Sequence, residues 1–237
     1  MMRNSRNDSL TGWLRDTLIA GFNRAYGETK VDAPKYLQCI RRAYFLPITS
    51  FQDMFALPLE TVDAITGQTI SGATKIAVLE GAGLGMGGFA TVIPDMAVLS
   101  AIVMRLLQKL SLLYGFEYST DDEIATLWIA AASAAGLELG RDFVEKQAVE
   151  KLVPRIIERI AVSISADVAE TWASRLIPVV SGVVGGGLNY YFVRAWARRA
   201  KRHFRARHLA IREQMGYAHT LNPTPAIALP LQPRTNP

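Results

Sequence analysis

Between Glu80 and Arg105 the chain carries a single charged side chain, Asp95, and five of the eight residues from Gly81 to Gly88 are glycine. So apolar a stretch is stable only inside a core or against lipid, because exposing that much hydrocarbon to water is unfavourable. From Met96 to Tyr114 the strongly polar residues are Arg105, Gln108 and Lys109, and a helical repeat gathers them on one narrow face. A second uncharged segment, Leu176–Val193, holds Pro178, four glycines and Asn189. It reaches only the lower length limit for a bilayer span, and the Gly81–Ile93 stretch falls short of it. A buried core helix, or a re-entrant or interfacial hairpin, fits both segments better than two clean spans. The whole chain sits between classes in the same way: half of its 237 residues are hydrophobic, a fifth are charged, and the mean hydropathy is +0.15.

Periodicity and punctuation predict the elements. Leu10, Trp13, Leu14, Leu18 and Phe22 recur at three- and four-residue steps, which predicts a first helix ending at Gly27. Pro34 and Pro58 are good opening residues for the next two helices, and Pro47 stops the first of them. Gly115 ends the helix that follows Pro94. Thr120-Asp121-Asp122-Glu123 is a capping-box signature for a helix over Ile124–Leu137. Pro154 is predicted to kink or break the charged segment from Glu138 to Arg159. Pro178 opens a last long helix that runs to about Glu213. Period-two alternation bounded by turn signals is almost absent, so the fold class is all-α. The expected architecture is a multi-helix bundle with Gly-rich apolar helical hairpins: an N-terminal helix in 1–33, a helical domain over 34–215, and a disordered Pro-rich tail over 216–237.

The residues that could carry chemistry are few. Cys39 is the lone cysteine, so an intrachain disulfide is impossible, and a buried thiol in a reducing compartment is expected. The histidines, His203, His208 and His219, all lie near the C-terminus; three His and one Cys make a structural zinc site improbable, and no metal or cofactor is expected. Gly83-x-Gly85-x-x-Gly88 matches the dinucleotide fingerprint by letters alone, since a helical pattern precedes it and no acid follows at the required distance. In Gly67–Lys75, Ala and Thr separate the second glycine from the lysine, against the phosphate-loop pattern. Gly81 and Gly85, and Gly83 and Gly87, stand four apart, and Gly182 and Gly186 are assigned the same packing role. Together with Gly88 they read as smooth helix faces that let backbones approach. Asp95 follows Pro94 at a helix start, where a carboxylate meets free N–H groups. Glu80 reads as a buried carboxylate that pairs with Lys75, Arg105 or Asn189. Asn189 itself is expected to hydrogen-bond across helices. A competing reading makes Glu80 and Asp95 the acid and base of a hydrolase.

The formal charge is +5 and the pI about 9.4, which favours anionic partners. The charge is concentrated. Arg194, Arg198, Arg199, Lys201, Arg202, Arg205 and Arg207 follow the second apolar segment, and no acid interrupts them before Glu213. No recognised nucleic-acid motif surrounds them, and Phe204 is the chief stacking candidate, so nucleic acid is not the expected partner. A solvated helix end is one reading. The other is a juxtamembrane cluster beside the interfacial aromatics Tyr190, Tyr191 and Trp196. No secretory signal is apparent at the polar N-terminus.

Two blocks carry a resemblance. The first is Lys75-Ile-Ala-Val-Leu-Glu80-Gly81-Ala-Gly-Leu-Gly85-Met-Gly-Gly88-Phe, then Ile93-Pro94-Asp95, then Tyr114-Gly115. The second is Arg175-Leu-Ile-Pro178, the glycines through Gly187, Asn189 and Phe192. In order and spacing they resemble the EcsC family over roughly residues 35–212. The resemblance implies a membrane-associated protein without an assigned biochemical activity, from a family named for a protein encoded beside an ABC transporter. Some members carry hydrolase or peptidase labels, which no residues here support. The resulting expectation is an accessory protein without catalytic activity, on the cytoplasmic face of a bacterial inner membrane. It would bind anionic lipid or support a membrane transport or processing system. The alternatives are the Glu80/Asp95 hydrolase and a soluble cytosolic interaction module. The oligomeric state is left open.

Overall fold

The computed structural model describes residues 12–13, 15–25, 30–84, 92–137, 149–174 and 182–216. Among the described residues every regular element is helical and there is no strand. In chain order they are α1 (residues 15–25), α2 (Ala33–Tyr44), a 3-10 turn (Gln52–Ala56), α3 (Leu59–Leu84), α4 (Val92–Leu113), α5 (Asp121–Ala134), α6 (Val149–Ser174) and α7 (Gly182–Gln214).

Local chemistry sets the ends of these helices. Asp32 caps α2 by accepting from the Lys35 N–H at 3.0 Å, with Pro34 in the first turn. At α5 the predicted capping box is complete: Thr120 Oγ1 accepts from the Glu123 N–H, and Glu123 Oε2 accepts from the Thr120 N–H at 2.9 Å. The C-terminus of α4 closes at Gly115, whose φ of +86° lies in the left-handed region, while the Phe116 N–H reaches back to Ser111 O at 2.9 Å.

The last helix organises the rest. α7 packs on α3, α4 and α5 and touches the 3-10 turn, and α6 packs on α5. α3 and α7 run antiparallel: Asn189 meets Ala77, Arg205 meets Asp63, and Arg212 meets Leu57. Aromatic side chains then tie on α1. Phe22 stacks on Trp196 of α7 at 5.9 Å and meets Trp128 of α5 edge-on at 6.5 Å. The extended segment before α2 is pinned by two polar contacts. Gln108 of α4, itself buried, accepts from the Val31 N–H at 2.8 Å, and the Tyr118 hydroxyl donates to Val31 O at 3.1 Å.

The structure overturns the break expected at Pro154 and the buried thiol expected at Cys39. Pro154 neither breaks nor ends α6, which is continuous over Val149–Ser174. It sits in the second turn of the described helix, so the one lost backbone bond falls near that start. Buried Leu152, Val153, Ile156, Ile157 and Ile160 anchor both sides of it. Cys39 is exposed on α2 and not buried, because the helix turns Ile40 and Tyr44 inward. Of the glycine-rich segments 81–93 and 176–193, residues 81–84 end α3, 92–93 open α4 and 182–193 are helical in α7, while 85–91 and 176–181, like the Pro-rich tail over 217–237, lie outside the described residues.

Of the described glycines that meet a neighbour, Gly115 leaves the least room for a side chain. A Cβ there would lie 2.5 Å from a ring carbon of Phe55, and that ring is itself buried, stacked on His208 at 4.8 Å and edge-on to Phe116 at 5.6 Å. Gly115→Ala combines left-handed strain with overpacking and should lower unfolding stability by about 2 kcal/mol or more. Urea denaturation checks this; an unchanged midpoint would show that the ring has room to move.

Candidate functional site

The basic run is distributed round α7 by its helical repeat. Lys201, Arg205, His208 and Arg212 recur at three- and four-residue steps, so they form one stripe, and that stripe faces α3 and the α4–α5 turn. At its centre lies Asp63 of α3. Asp63 Oδ1 accepts from the Tyr114 hydroxyl at 2.7 Å and pairs with Lys201 Nζ at 3.1 Å. Oδ2 accepts from Arg205 Nε at 2.8 Å, and Lys201 also donates to the Asp63 backbone carbonyl at 3.2 Å. A quarter of the Asp63 side chain is exposed. Burial pushes its carboxyl up, but the hydrogen bonds from Tyr114, Arg205 and Lys201 outweigh that, and the net shift is downward. The Tyr114 phenol is driven well above its ordinary range, first by burial and then by the Asp63 carboxylate that it serves.

One turn further on, His208 is fully buried, and its Nδ1–H donates to Tyr114 O at 2.9 Å. That bond requires the proton on Nδ1, because a carbonyl only accepts; Nε2 has no hydrogen-bond partner among the described residues. Burial lowers the His208 pKa, with Arg212 and Arg205 adding to the effect against the Tyr114 carbonyl and Asp63. Arg212 finishes the stripe by donating to Leu57 O at 2.6 Å. The cluster is a latch between α3, α7 and the end of α4. Its carboxylate is already taken by three donors, so it offers no free base.

A cleft of about 520 Å³ opens beside it, lined by Asp53, Phe55, Phe116, Glu123, Arg207 and Ile211 among others. Two of its three acids, Asp53 and Glu123 but not Glu117, already hold backbone. Asp53 Oδ2 accepts from the Thr49 and Ser50 N–H groups at 2.6 and 2.9 Å, and Glu123 caps α5. Arg207 lies over the Phe116 ring at 4.7 Å. Among the described residues no group of three His, Cys, Asp or Glu could hold a metal ion.

The remaining candidates scatter. Arg199 donates to Ala134 O at 3.2 Å, capping the C-terminus of α5. Arg194 donates to the Tyr190 hydroxyl at 2.8 Å and, with Arg198 and Arg202, is exposed. The seven basic residues therefore do not form one surface. Trp196 is no interfacial aromatic either: it is buried between Phe22 and Phe192. Glu80 is exposed, and not the buried carboxylate that its apolar sequence surroundings suggest, because α3 turns Ala77 inward and Leu79 and Glu80 outward. Asp95 lies in the first turn of α4, and its side chain lies outside the described residues. Asn189 is buried and donates to Ala77 O at 3.3 Å. Gly81 is helical at the end of α3, and Gly182 and Gly186 are helical in α7; Gly85 and Gly88 lie outside the described residues. Asp63 was not singled out from sequence; the inward stripe at Lys201, Arg205, His208 and Arg212 was the signal that called for an acid opposite it.

The fold and this site define an all-α protein built round a single organising helix and an ionic latch, with no recognisable catalytic constellation among the described residues. The EcsC protein family model matches residues 25–209, and the chain belongs to that family. Protein EcsC of Bacillus subtilis (strain 168) is 29% identical over 169 residues, covering 68% of this chain and 69% of the relative. No solved structure matches the chain.

The latch has measurable consequences. Asp63→Asn leaves two cations facing an amide and should lower stability by about 2–3 kcal/mol, read by chemical denaturation. The Asp63 contribution is complete above the unfolded carboxylate pKa of about 4 and is lost as the pH falls through the lower folded value. His208 and the similarly desolvated His203 act earlier. Their folded pKa values lie below the unfolded value of about 6.5, so the unfolded chain binds more protons and stability falls as the solution is acidified below that value. His208→Gln should shrink the drop in Tm between about pH 7 and about pH 5; an equal drop in both proteins would remove His208 from the account.

Proposed function

We propose that this protein docks peripherally on an anionic membrane surface, as an accessory component of a membrane transport or processing system. One observation carries the reading. Ile76 and Leu79 of α3 and Tyr190 and Tyr191 of α7 are exposed at the same end of the antiparallel pair, the end at which Asn189 meets Ala77. Arg194, Arg198 and Arg202 stand at four-residue steps on the exposed side of α7 just beyond them. Large apolar side chains without cover mark an interaction surface, and tyrosines beside arginines suit the boundary between acyl chains and headgroups. No helix among the described residues is long and apolar enough to cross a membrane, which supports contact from one side.

A second reading puts a protein on the same surface and makes the chain an interaction module. It is favoured by the inward turn of Lys201 and Arg205, which removes two cations from the supply available to lipid. The Glu80/Asp95 hydrolase gains no support, since Glu80 faces solvent.

Flotation with anionic vesicles separates these readings. The protein should float at low salt, and Arg194→Gln, Arg198→Gln and Arg202→Gln should each weaken binding by about 1 kcal/mol, roughly fivefold. Leu79→Ser with Tyr191→Ser should weaken it further. A chain that stays at the bottom at low salt contradicts the membrane reading and gives the surface to a protein.

A further inference from the structure

Phe45 follows the last residue of α2 in the left-handed region, at φ 54° and ψ 39°. It is the one non-glycine residue with positive φ among the described residues. Helix ends of this kind are usually closed by glycine or asparagine, because a Cβ crowds the neighbouring carbonyl. A bulky aromatic there is strained, and 80% of Phe45 is exposed, so packing within the chain does not offset the strain. The surrounding turn enforces the geometry. The Phe45 and Leu46 N–H groups both reach Arg41 O, Pro47 follows, and Leu46 and Ile48 on either side of that proline are buried. The fold holds an aromatic ring outward on a rigid corner. Strain kept at an exposed side chain points to a contact made outside the chain.

The charge beside the ring indicates what that contact is. Arg41 and Arg42 are exposed on α2, Lys35 is paired with Asp32 at 3.0 Å, and no acidic residue occurs from Ala33 to Gln52. Ile40, Tyr44 and, in part, Tyr36 and Leu37 face the core, so the outward side of α2 is cationic with one aromatic ring at its end. We propose that Phe45 inserts at the acyl boundary of an anionic bilayer while Arg41 and Arg42 hold lipid phosphates. Guanidinium groups match phosphate oxygens in planar paired hydrogen bonds, and a Phe ring favours the hydrocarbon edge over water. The proposal rests on the membrane reading and adds a second contact point, separate from the Tyr190–Tyr191 end.

The test uses the full chain with vesicles of phosphatidylcholine, with and without phosphatidylglycerol. Phe45→Gly removes the ring and relieves the backbone. Its Tm should hold or rise, while its affinity for anionic vesicles falls about tenfold or more. Arg41→Gln with Arg42→Gln should weaken binding to the anionic vesicles and leave the weak binding to neutral ones unchanged. A Phe45→Gly chain that binds as the wild type does, while Tyr191→Ser still weakens binding, overturns this inference and leaves the membrane reading standing. A lower Tm for Phe45→Gly also overturns it, because the ring then supports the fold. A wild-type chain that ignores both vesicle types overturns both ideas and assigns the ring to a protein partner.

Discussion

A carboxylate on α3 holds α7, the longest helix among the described residues, in one rotation. Asp63 receives Lys201 and Arg205 from α7 and the Tyr114 hydroxyl from the end of α4, so three segments distant in sequence meet on two oxygens. Hydrogen bonds to a charged group contribute more than neutral ones, and a partly buried site screens them less than open water does. Helix packing alone tolerates small rotations of a helix about its axis. A charged latch at a fixed azimuth does not, and His208 and Arg212 extend the constraint over two more turns.

That rotation decides which residues of α7 meet solvent. Once Lys201, Arg205, His208 and Arg212 face inward, Arg198 and Arg202 face out, and the Tyr190–Arg194 turn follows. The helix thus has two parts with different tasks. In its C-terminal half Lys201, Arg205, His208 and Arg212 are engaged with α3 and the α4–α5 turn, while Arg202 and Arg207 stay exposed. Its N-terminal half packs on the bundle through Asn189, Val193 and Trp196 and presents Tyr190, Tyr191 and Arg194 on its other side. Membership in the EcsC family is independent of this division, since the family match spans both parts.

Most helix boundaries were legible because local chemistry writes them. Pro34, Pro58, Gly115 and the Thr120–Glu123 box each act within one turn, and the apolar repeats around them need no distant partner. The latch was not legible, because Asp63 is an ordinary acid in a helix until Arg205, 142 residues on, is placed beside it. Glu80 was misread for the opposite reason. Its neighbours in sequence are apolar, but sequence neighbours on a helix point in different directions, and Glu80 shares its outward side with Leu79. The basic run looked uniform because a string of arginines carries no mark of azimuth; only the inward-facing Phe204 and Ala200 between them reveal it. Phe45 left no sequence signal at all, since its meaning lies in a backbone angle.

Modification of each arginine by phenylglyoxal, followed by mass spectrometry, measures the division of α7 directly in the unaltered chain. The account predicts fast reaction at Arg198 and Arg202, slow reaction at Arg205 and Arg212, and slowing of the fast pair when anionic vesicles are present. Arg205 and Arg212 reacting as fast as Arg198 would contradict it, for the latch would then not hold the helix in this rotation.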